Sequence, residues 1–163
     1  MAARRLEVTT EVELSAEELG GLLQELVNRV SHGQGKTLAV LDEASVTLQQ
    51  ALLLRRLQHS GQSTSSELAA QLHISLPAMS QMVDRLFELD LVTRTEMAQD
   101  RRKKRISPTA KARALLERVR RARSAEYGAA LAVLAPKLRV ELARTVQKVL
   151  RELPAEGQRP AVA

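Results

Sequence analysis

The chain has 163 residues, and its 25 Lys and Arg against 19 Asp and Glu give a net charge of +6 and a pI near 10.3. This excess favours a polyanionic partner, nucleic acid before an anionic membrane, although a basic soluble protein without such a partner would look the same. Without cysteine there are no disulfides or thiolate metal sites, and with no Trp, one Phe and one Tyr we expect no aromatic platform for single-stranded nucleic acid. No apolar run reaches the roughly 18 residues of a membrane span, and the N-terminus does not resemble a secretory signal, so we expect a cytoplasmic protein.

The N-terminal part predicts an arm and one amphipathic helix. Residues 1–14 have few helix signals and are expected to be extended. Ser15 with Glu18 three residues later is a capping box, which predicts the start of a helix. We expect this helix to end at Gly33 and Gly35. Its apolar stripe consists of Leu19, Leu22, Leu23, Leu26, Val27 and Val30.

A second helix is predicted to begin near Thr47 and to end at 59–61. One of its faces carries Gln50, Leu53, Leu54 and Leu57. A further apolar face carries Leu48, Ala51 and Leu52. Because a helix that is apolar on two sides is usually buried on two sides, we expect it to lie centrally.

Two helices joined by a turn follow. Thr64 and Glu67 form another capping box, which predicts a short helix up to the turn at 73–74. Ser75 is the N-cap candidate of the next helix. Asp90 is predicted to end that helix, because aspartate tolerates a left-handed terminus. The buried stripe of this helix is Met79, Met82, Val83 and Leu86.

The C-terminal part predicts a wing and two further helices. Residues 91–95 and the return through 105–106 have the composition of a two-stranded hairpin. Ser107 and Pro108 are expected to serve as N-cap and first residue of a long helix that reaches about residue 134. Pro136 is predicted to open the last helix, with a stripe of Leu138, Leu142, Val146, Val149 and Leu153.

The stripes of the first and last helices have little in so small a chain to cover them. Exposed apolar patches of this kind mark interfaces, so we expect a homodimer formed by the N- and C-terminal helices. The stripe residues on which this prediction depends are Leu19, Leu22, Leu26, Leu138, Leu142 and Val149.

The helix after Ser75 has short polar and small side chains opposite its buried stripe. Such side chains let a backbone approach base edges in the major groove of DNA, and Gln81 can pair bidentately with adenine. Arg85 is placed for a phosphate or for an acidic neighbour. Taken alone, an ordinary solvated helix accounts for this face better. The DNA-binding candidates on it are Ser75, Pro77, Ala78, Ser80, Gln81 and Arg85.

A basic run at the predicted hairpin tip changes that balance. Cations at the tip of a hairpin that follows a helix-turn-helix usually contact DNA, and Arg101 or Arg102 would enter the minor groove. Asp100 cannot bind phosphate and is expected to orient an arginine, in the wing or at Arg85. The DNA-binding candidates of the wing are Arg101, Arg102, Lys103 and Lys104.

From Thr47 to Ala112 the chain resembles the MarR family of winged-helix regulators. The resemblance implies a homodimeric, ligand-responsive repressor that binds a palindromic operator with two recognition helices and two wings. Family effectors, often aromatic acids, lodge between the dimer helices and the DNA-binding lobe. The motifs that carry the resemblance are Val46-Thr47, Gln50, Leu53-Leu54, Leu57, Glu67-Leu68-Ala69, Leu72, Ser75, Val83-Asp84-Arg85-Leu86, Leu91-Val92, Arg94 and Asp100-Arg101-Arg102.

The ligand-binding residues are not determined by the sequence. Polar side chains of the first two predicted helices could meet an effector or be ordinary surface residues; they are Asn28, Arg29, His32, Gln50 and Arg55. No nucleophile–base arrangement, phosphate-binding glycine loop or metalloprotease motif is present, so we expect neither an enzyme nor a metal or other cofactor.

We therefore predict a mainly α protein with a winged helix-turn-helix lobe, a two-stranded β wing and dimerisation helices at both ends. Its expected partners are double-stranded DNA, a second copy of itself and a small effector, for example an aromatic acid or its thioester, and not a membrane. The alternatives are a ligand-independent or nucleoid-associated DNA-binding protein and a winged-helix protein-interaction module. The predicted division is an arm at 1–14, a dimerisation helix and connection at 15–44, the lobe at 45–108, the C-terminal dimerisation helices at 109–153 and a flexible tail at 154–163.

Overall fold

The computed structural model describes residues 14–31, 35–97 and 100–154, and at 97 and 100–103 it describes the backbone alone. These residues form a mainly α fold of seven helices with one small antiparallel sheet. The helices are α1 Ala16–Val30, α2 Gly35–Glu43, α3 Leu48–Ser60, α4 Ser65–Leu72, α5 Leu76–Glu88, α6 Ala110–Leu131 and α7 Pro136–Glu152. The strands are β1 Ser63–Thr64, β2 Val92–Met97 and β3 Asp100–Pro108.

Local capping signals place most of the helix starts where the sequence predicts them. Ser15 and Thr64 each accept a hydrogen bond from the third helical residue, whose glutamate side chain binds back to the cap. Thr47 and Gln50 form a third capping box, so the side chain of Gln50 is engaged at the start of α3. Asp90 has a φ of 58° and lies in the left-handed region, as predicted.

Helix α2 is absent from the prediction, which treated Gly35 as part of a helix end. The N-terminus of α2 is held by a distant residue, Glu126 of α6, which is 6% exposed. Its carboxylate accepts hydrogen bonds from the amide of Thr37 at 2.9 Å and from the Thr37 hydroxyl at 2.7 Å. Burial raises the pKa of Glu126, but the hydrogen bonds from Thr37, one from the backbone of Lys36 and the charge of Arg123 together hold the pKa below its usual value. The cap of α2 is therefore a tertiary contact.

The predicted start of α6 at Ser107-Pro108 is wrong. Both residues belong to β3, where Ser107 pairs with Thr93. Thr109 is the N-cap instead, since its hydroxyl accepts from the amide of Ala112 at 3.1 Å. The same hydroxyl donates to the carbonyl of Asp90 at 2.8 Å, so Thr109 joins the start of α6 to the end of α5.

The wing hairpin of β2 and β3 is extended by a third strand that was not predicted. The strand order is β1-β3-β2, and every pairing is antiparallel. Ser63 lies opposite Ile106 and Thr64 opposite Arg105. Because Thr64 also caps α4, the base of the wing is joined directly to the helix-turn-helix.

The core lies around α3, with Leu53, Leu54 and Leu57 fully buried. On the second face of this helix Ala51 is buried, whereas Leu48 and Leu52 are each 50% exposed, so the expectation of burial on two sides is wrong for these two leucines. Fully buried side chains from the other elements complete the core; they include Leu68, Met79, Val83, Leu86, Val92 and Ile106.

The terminal helices leave their apolar stripes open. Val30 is the one buried residue of α1, and no residue of α7 is buried. The arm at 1–13, His32 and the tail at 155–163 lie outside the described residues, and the division into segments stays a prediction. Among the described helices, none has the length and apolar character to cross a membrane.

Candidate nucleic-acid interface

The exposed start of α5 carries most of the predicted helix contacts. Pro77, Ala78 and Gln81 are exposed, and Ser80 is half-buried. Ser75 is engaged as N-cap, because its hydroxyl accepts from the amide of Ala78 at 3.3 Å. The cap and the small side chains leave the first turns of α5 open to a partner.

The charged side chains of α5 are held by partners within the protein. Arg85 donates to Glu88 at 3.2 Å, one helical turn away. Asp84 pairs with Arg94 of β2. Both pairs are partly exposed, so each stabilises the fold only slightly, but together they occupy the charges of this helix.

Arg94 links the wing to α5 at two points. Besides pairing with Asp84, its guanidinium lies 4.9 Å from the ring centre of Phe87, in the geometry of a cation–π contact. From the sequence, Arg94 was identified only through the family motif, and Asp100 was the predicted wing-orienting acid; the side chain of Asp100 lies outside the described residues. Side chains alternate between the two faces of a strand, so Arg94 lies on the same face of β2 as the buried Val92. This alternation could have predicted that Arg94 faces α5.

A groove lies between the start of α4, one flank of α5 and the sheet. It has a volume of about 540 Å³. Most residues that line the groove are of polar type, including Lys104 of β3 and the serines at the start of α4, for which the sequence predicted no contact. Its lining is Thr64, Ser65, Ser66, Glu67, Leu76, Ser80, Asp84, Arg94, Lys104 and Ile106.

The basic run does not lie in the hairpin turn. Strand β3 begins at Asp100, which pairs with Met97, so residues 101–105 lie within the strand. The pairing shifts register after Glu96, which leaves 101–103 in its irregular part, and Lys104 lies opposite Glu96. Lys104 is exposed and lines the groove, whereas the side chains of Arg101, Arg102 and Lys103 lie outside the described residues.

A second cavity lies between α2 and the start of α3, with a volume of about 520 Å³. Its lining is mostly apolar, and Leu38 and Leu48 on it are about half exposed. The lining residues are Gly35, Leu38, Ala39, Leu41, Asp42, Val46, Thr47 and Leu48. Two of the polar residues considered for an effector are not among those that line this cavity: Arg29 pairs with Glu25 at 2.7 Å, and Gln50 caps α3.

Comparison with known proteins identifies the same fold. The sequence profile of the MarR family matches residues 46–104. The YusO protein from Bacillus subtilis is 26% identical with a TM-score of 0.63, over 85% of this chain and 99% of that one. The transcriptional regulator Tm0710 from Thermotoga maritima is 20% identical with a TM-score of 0.70, over 82% and 92%. A mutant of S. aureus MepR bound to an oligodeoxyribonucleotide is 21% identical with a TM-score of 0.59, over 87% and 100%. No curated protein sequence matches the chain significantly.

Proposed function

We propose that this chain is a homodimeric transcriptional repressor of the MarR type, which binds a palindromic operator and is released from it by a small organic ligand. The match of residues 46–104 to the MarR family profile supports this proposal. The observation that carries DNA binding is the common face of α5 and the wing. The open start of α5 and the exposed cation Lys104 border one groove. A helix with small side chains fits the major groove, and cations beside it fit the flanking phosphates. The oligodeoxyribonucleotide in the similar MepR structure supports this interpretation.

The uncovered stripes of α1 and α7 support the homodimer. Leu22 of α1 is 59% exposed and Leu138 of α7 is 48% exposed. A second copy of the chain would remove these leucines from water, which favours association by roughly 25 cal/mol per Å² of apolar surface. Two-fold symmetry would then place the two α5 helices on half-sites about 10 bp apart.

The cavity between α2 and α3 supports the ligand response. It is a shallow depression, widely open to solvent, whose leucine and valine side chains suit contact with one side of a small organic molecule. Asp42 contributes a carboxylate, and no Lys or Arg is among the described residues that line it. This lining suits a neutral or cationic ligand better than the aromatic acid that the family resemblance implies. A ligand that binds the DNA-incompetent state more tightly releases the operator by linkage.

Selection of duplexes from a random pool, followed by footprinting, tests the DNA-binding proposal. We expect a narrow palindromic footprint and a steep loss of affinity with salt. Gln81→Ala should change the selected sequence, at a cost of about 1–3 kcal/mol, whereas Lys104→Ala should weaken all duplexes alike. Absence of duplex binding at low salt would contradict the proposal and favour a protein-interaction module.

Two further measurements test the remaining parts. Replacing Arg101 and Arg102 together by Ala should flatten the salt dependence by about one unit of log–log slope for each phosphate that the variant no longer neutralises. An unchanged slope with full affinity would show that the basic run does not contact DNA. A ligand screen with neutral, cationic and acidic aromatic compounds should give thermal shift and operator release. A screen without either would favour a ligand-independent regulator.

A further inference from the structure

The first two turns of α5 present apolar side chains at their exposed positions. Leu76, the first residue of the helix, is 48% exposed, and Pro77 and Ala78 beside it are also exposed. Ser80 and Gln81 supply the polar groups of these turns, and no charged residue occurs before Asp84. Three consecutive apolar residues in water gain free energy from an apolar partner, since burial of their surface is favourable.

This helix has few charged side chains available to recognise guanine or cytosine. Guanine is most often read by Arg or Lys, and cytosine by a carboxylate. The one cation of α5, Arg85, donates to Glu88, and its first acid, Asp84, pairs with Arg94. The free energy needed to break either ion pair would reduce the binding free energy gained from a base contact. The uncharged first turns are therefore the surface best suited to bases.

The groove beside these turns offers a cation to a phosphate, because its two acids are engaged within the protein: Glu67 accepts from the amide of Thr64, and Asp84 pairs with Arg94. Leu76 and Ser80 line the groove that also contains the exposed Lys104. A cation on the same groove as the helix start can meet a phosphate while the helix start meets the base edges. The apolar surface thus lies where base edges are expected, and the 5-methyl group of thymine is the apolar group that those edges offer.

We propose that the start of α5 reads A·T base pairs through thymine methyl groups, with Leu76 as the main specificity-determining residue. Pro77 and Ala78 add to the apolar contact, and Gln81 pairs with adenine. Leu76 dominates because it presents the largest exposed apolar side chain of these turns. The inference rests on the proposed function and adds the class of base pair that the protein recognises.

Uracil lacks only the 5-methyl group of thymine, so it tests this contact directly. The full-length protein is first used to select its operator, in which we expect A·T pairs at the helix-contacted positions of each half-site. Thymines at these positions are then replaced by uracil one at a time. Removal of each contacted methyl group should lower the affinity about fourfold, the value for one buried methylene group. Uracil outside the footprint serves as the control for the duplex.

Variants connect the methyl effect to the helix. Leu76→Ala should lower affinity for the thymine operator and lose most of its sensitivity to uracil, whereas Leu76→Met keeps an apolar side chain and should retain it. Val133→Ala is the matched control, because Val133 is 87% exposed and lies in the turn between α6 and α7. Circular dichroism and thermal unfolding verify that each variant is folded.

The binding measurements distinguish loss of the thymine contact from loss of DNA binding as a whole. Specific binding that uracil leaves unchanged, or G·C pairs at the helix-contacted positions, overturns the thymine contact and leaves a DNA-binding regulator. A uracil effect that persists in full in Leu76→Ala overturns the role of Leu76. Absence of binding to every duplex at low salt overturns the proposed function, and this inference with it.

Discussion

The winged lobe and the terminal helices have similar apolar periodicity but differ in what covers it. In the lobe, Leu54 of α3 and Leu86 of α5 are fully buried by neighbouring elements. On the terminal helices, Leu22 and Val149 occupy equivalent stripe positions and are 59% and 48% exposed. Periodicity therefore identifies which face of a helix is apolar. What covers that face depends on the rest of the chain or on another chain.

The largest effect is expected from the buried side of this comparison. Leu57→Ala removes a fully buried side chain and should lower the free energy of unfolding by about 2–5 kcal/mol. Leu52→Ala is a matched control on the same helix, and because Leu52 is 50% exposed it should cost less than about 1 kcal/mol. Chemical denaturation measures both. Equal costs for the two variants would show that the exposed face of α3 is covered in the native protein.

A charge on an open stripe should act on association and leave the fold intact. Leu22→Asp places a carboxylate in the proposed dimer interface and should weaken association by about 2 kcal/mol or more, which is about 30-fold. Gln24→Asp adds the same charge to α1 off the stripe and should have little effect. Sedimentation or light scattering over a dilution series measures the association. A wild-type protein that is monomeric at micromolar concentration would contradict the proposal that a second copy covers the open stripes.

The contact between Glu126 and Thr37 joins α6 to the start of α2, both outside the winged lobe, and its loss should have an intermediate effect. Glu126→Gln removes one of two strong acceptors and should cost about 1–2 kcal/mol at neutral pH. Because the pKa of Glu126 is lowered in the folded state, its stabilisation is complete above the pKa of the unfolded chain and is lost as the pH falls through the folded-state pKa.

Unfolding measured from neutral to acidic pH tests this contribution. The curves of the wild type and Glu126→Gln should converge in acid. Glu141→Gln on the exposed surface of α7 should follow the wild type at every pH. A constant difference between the wild type and Glu126→Gln down to the lowest pH would exclude the carboxylate as its source.

The smallest effect is expected at the surface of the lobe. A double-mutant cycle on Asp84 and Arg94 should give a coupling free energy of about 0.5–1 kcal/mol, since Arg94 is partly buried and also contacts Phe87. The more exposed pair of Arg85 and Glu88 should give about 0.3–0.5 kcal/mol or less. A larger coupling for the exposed pair would contradict the role of Arg94 as the link between wing and helix.

Features specified by neighbouring residues could be predicted from the sequence, and features specified by distant ones could not. The capping boxes of α1 and α4 are complete within four residues, so their starts were predictable. The cap of α2 comes from Glu126, which is 89 residues from Thr37. Strand β1 has two residues and exists because β3 pairs with it.

The same distinction applies to the candidate site. The open face of α5 follows from its buried stripe, and the basic run is visible in the sequence. The pairing of Asp84 with Arg94 depends on the packing of β2 against α5, so the sequence could not indicate which acid orients the wing. Thr109 replaced Ser107 as the N-cap for a similar reason, because its hydroxyl also binds the turn at Asp90.

The attachment of β1 determines where the wing can change in length. A one-residue slip of β3 at its base would turn Ile106, which is 1% exposed, toward solvent and would separate Arg105 from Thr64, the cap of α4. An insertion after Lys104 would therefore disturb the helix-turn-helix itself. Toward the tip, the pairs that the structure describes, Glu96 with Lys104 and Met97 with Asp100, involve β2 and β3 alone. Relatives with longer or shorter wings are expected to differ at the tip of the hairpin. The length of the wing can then change during evolution while the pairing at its base is kept.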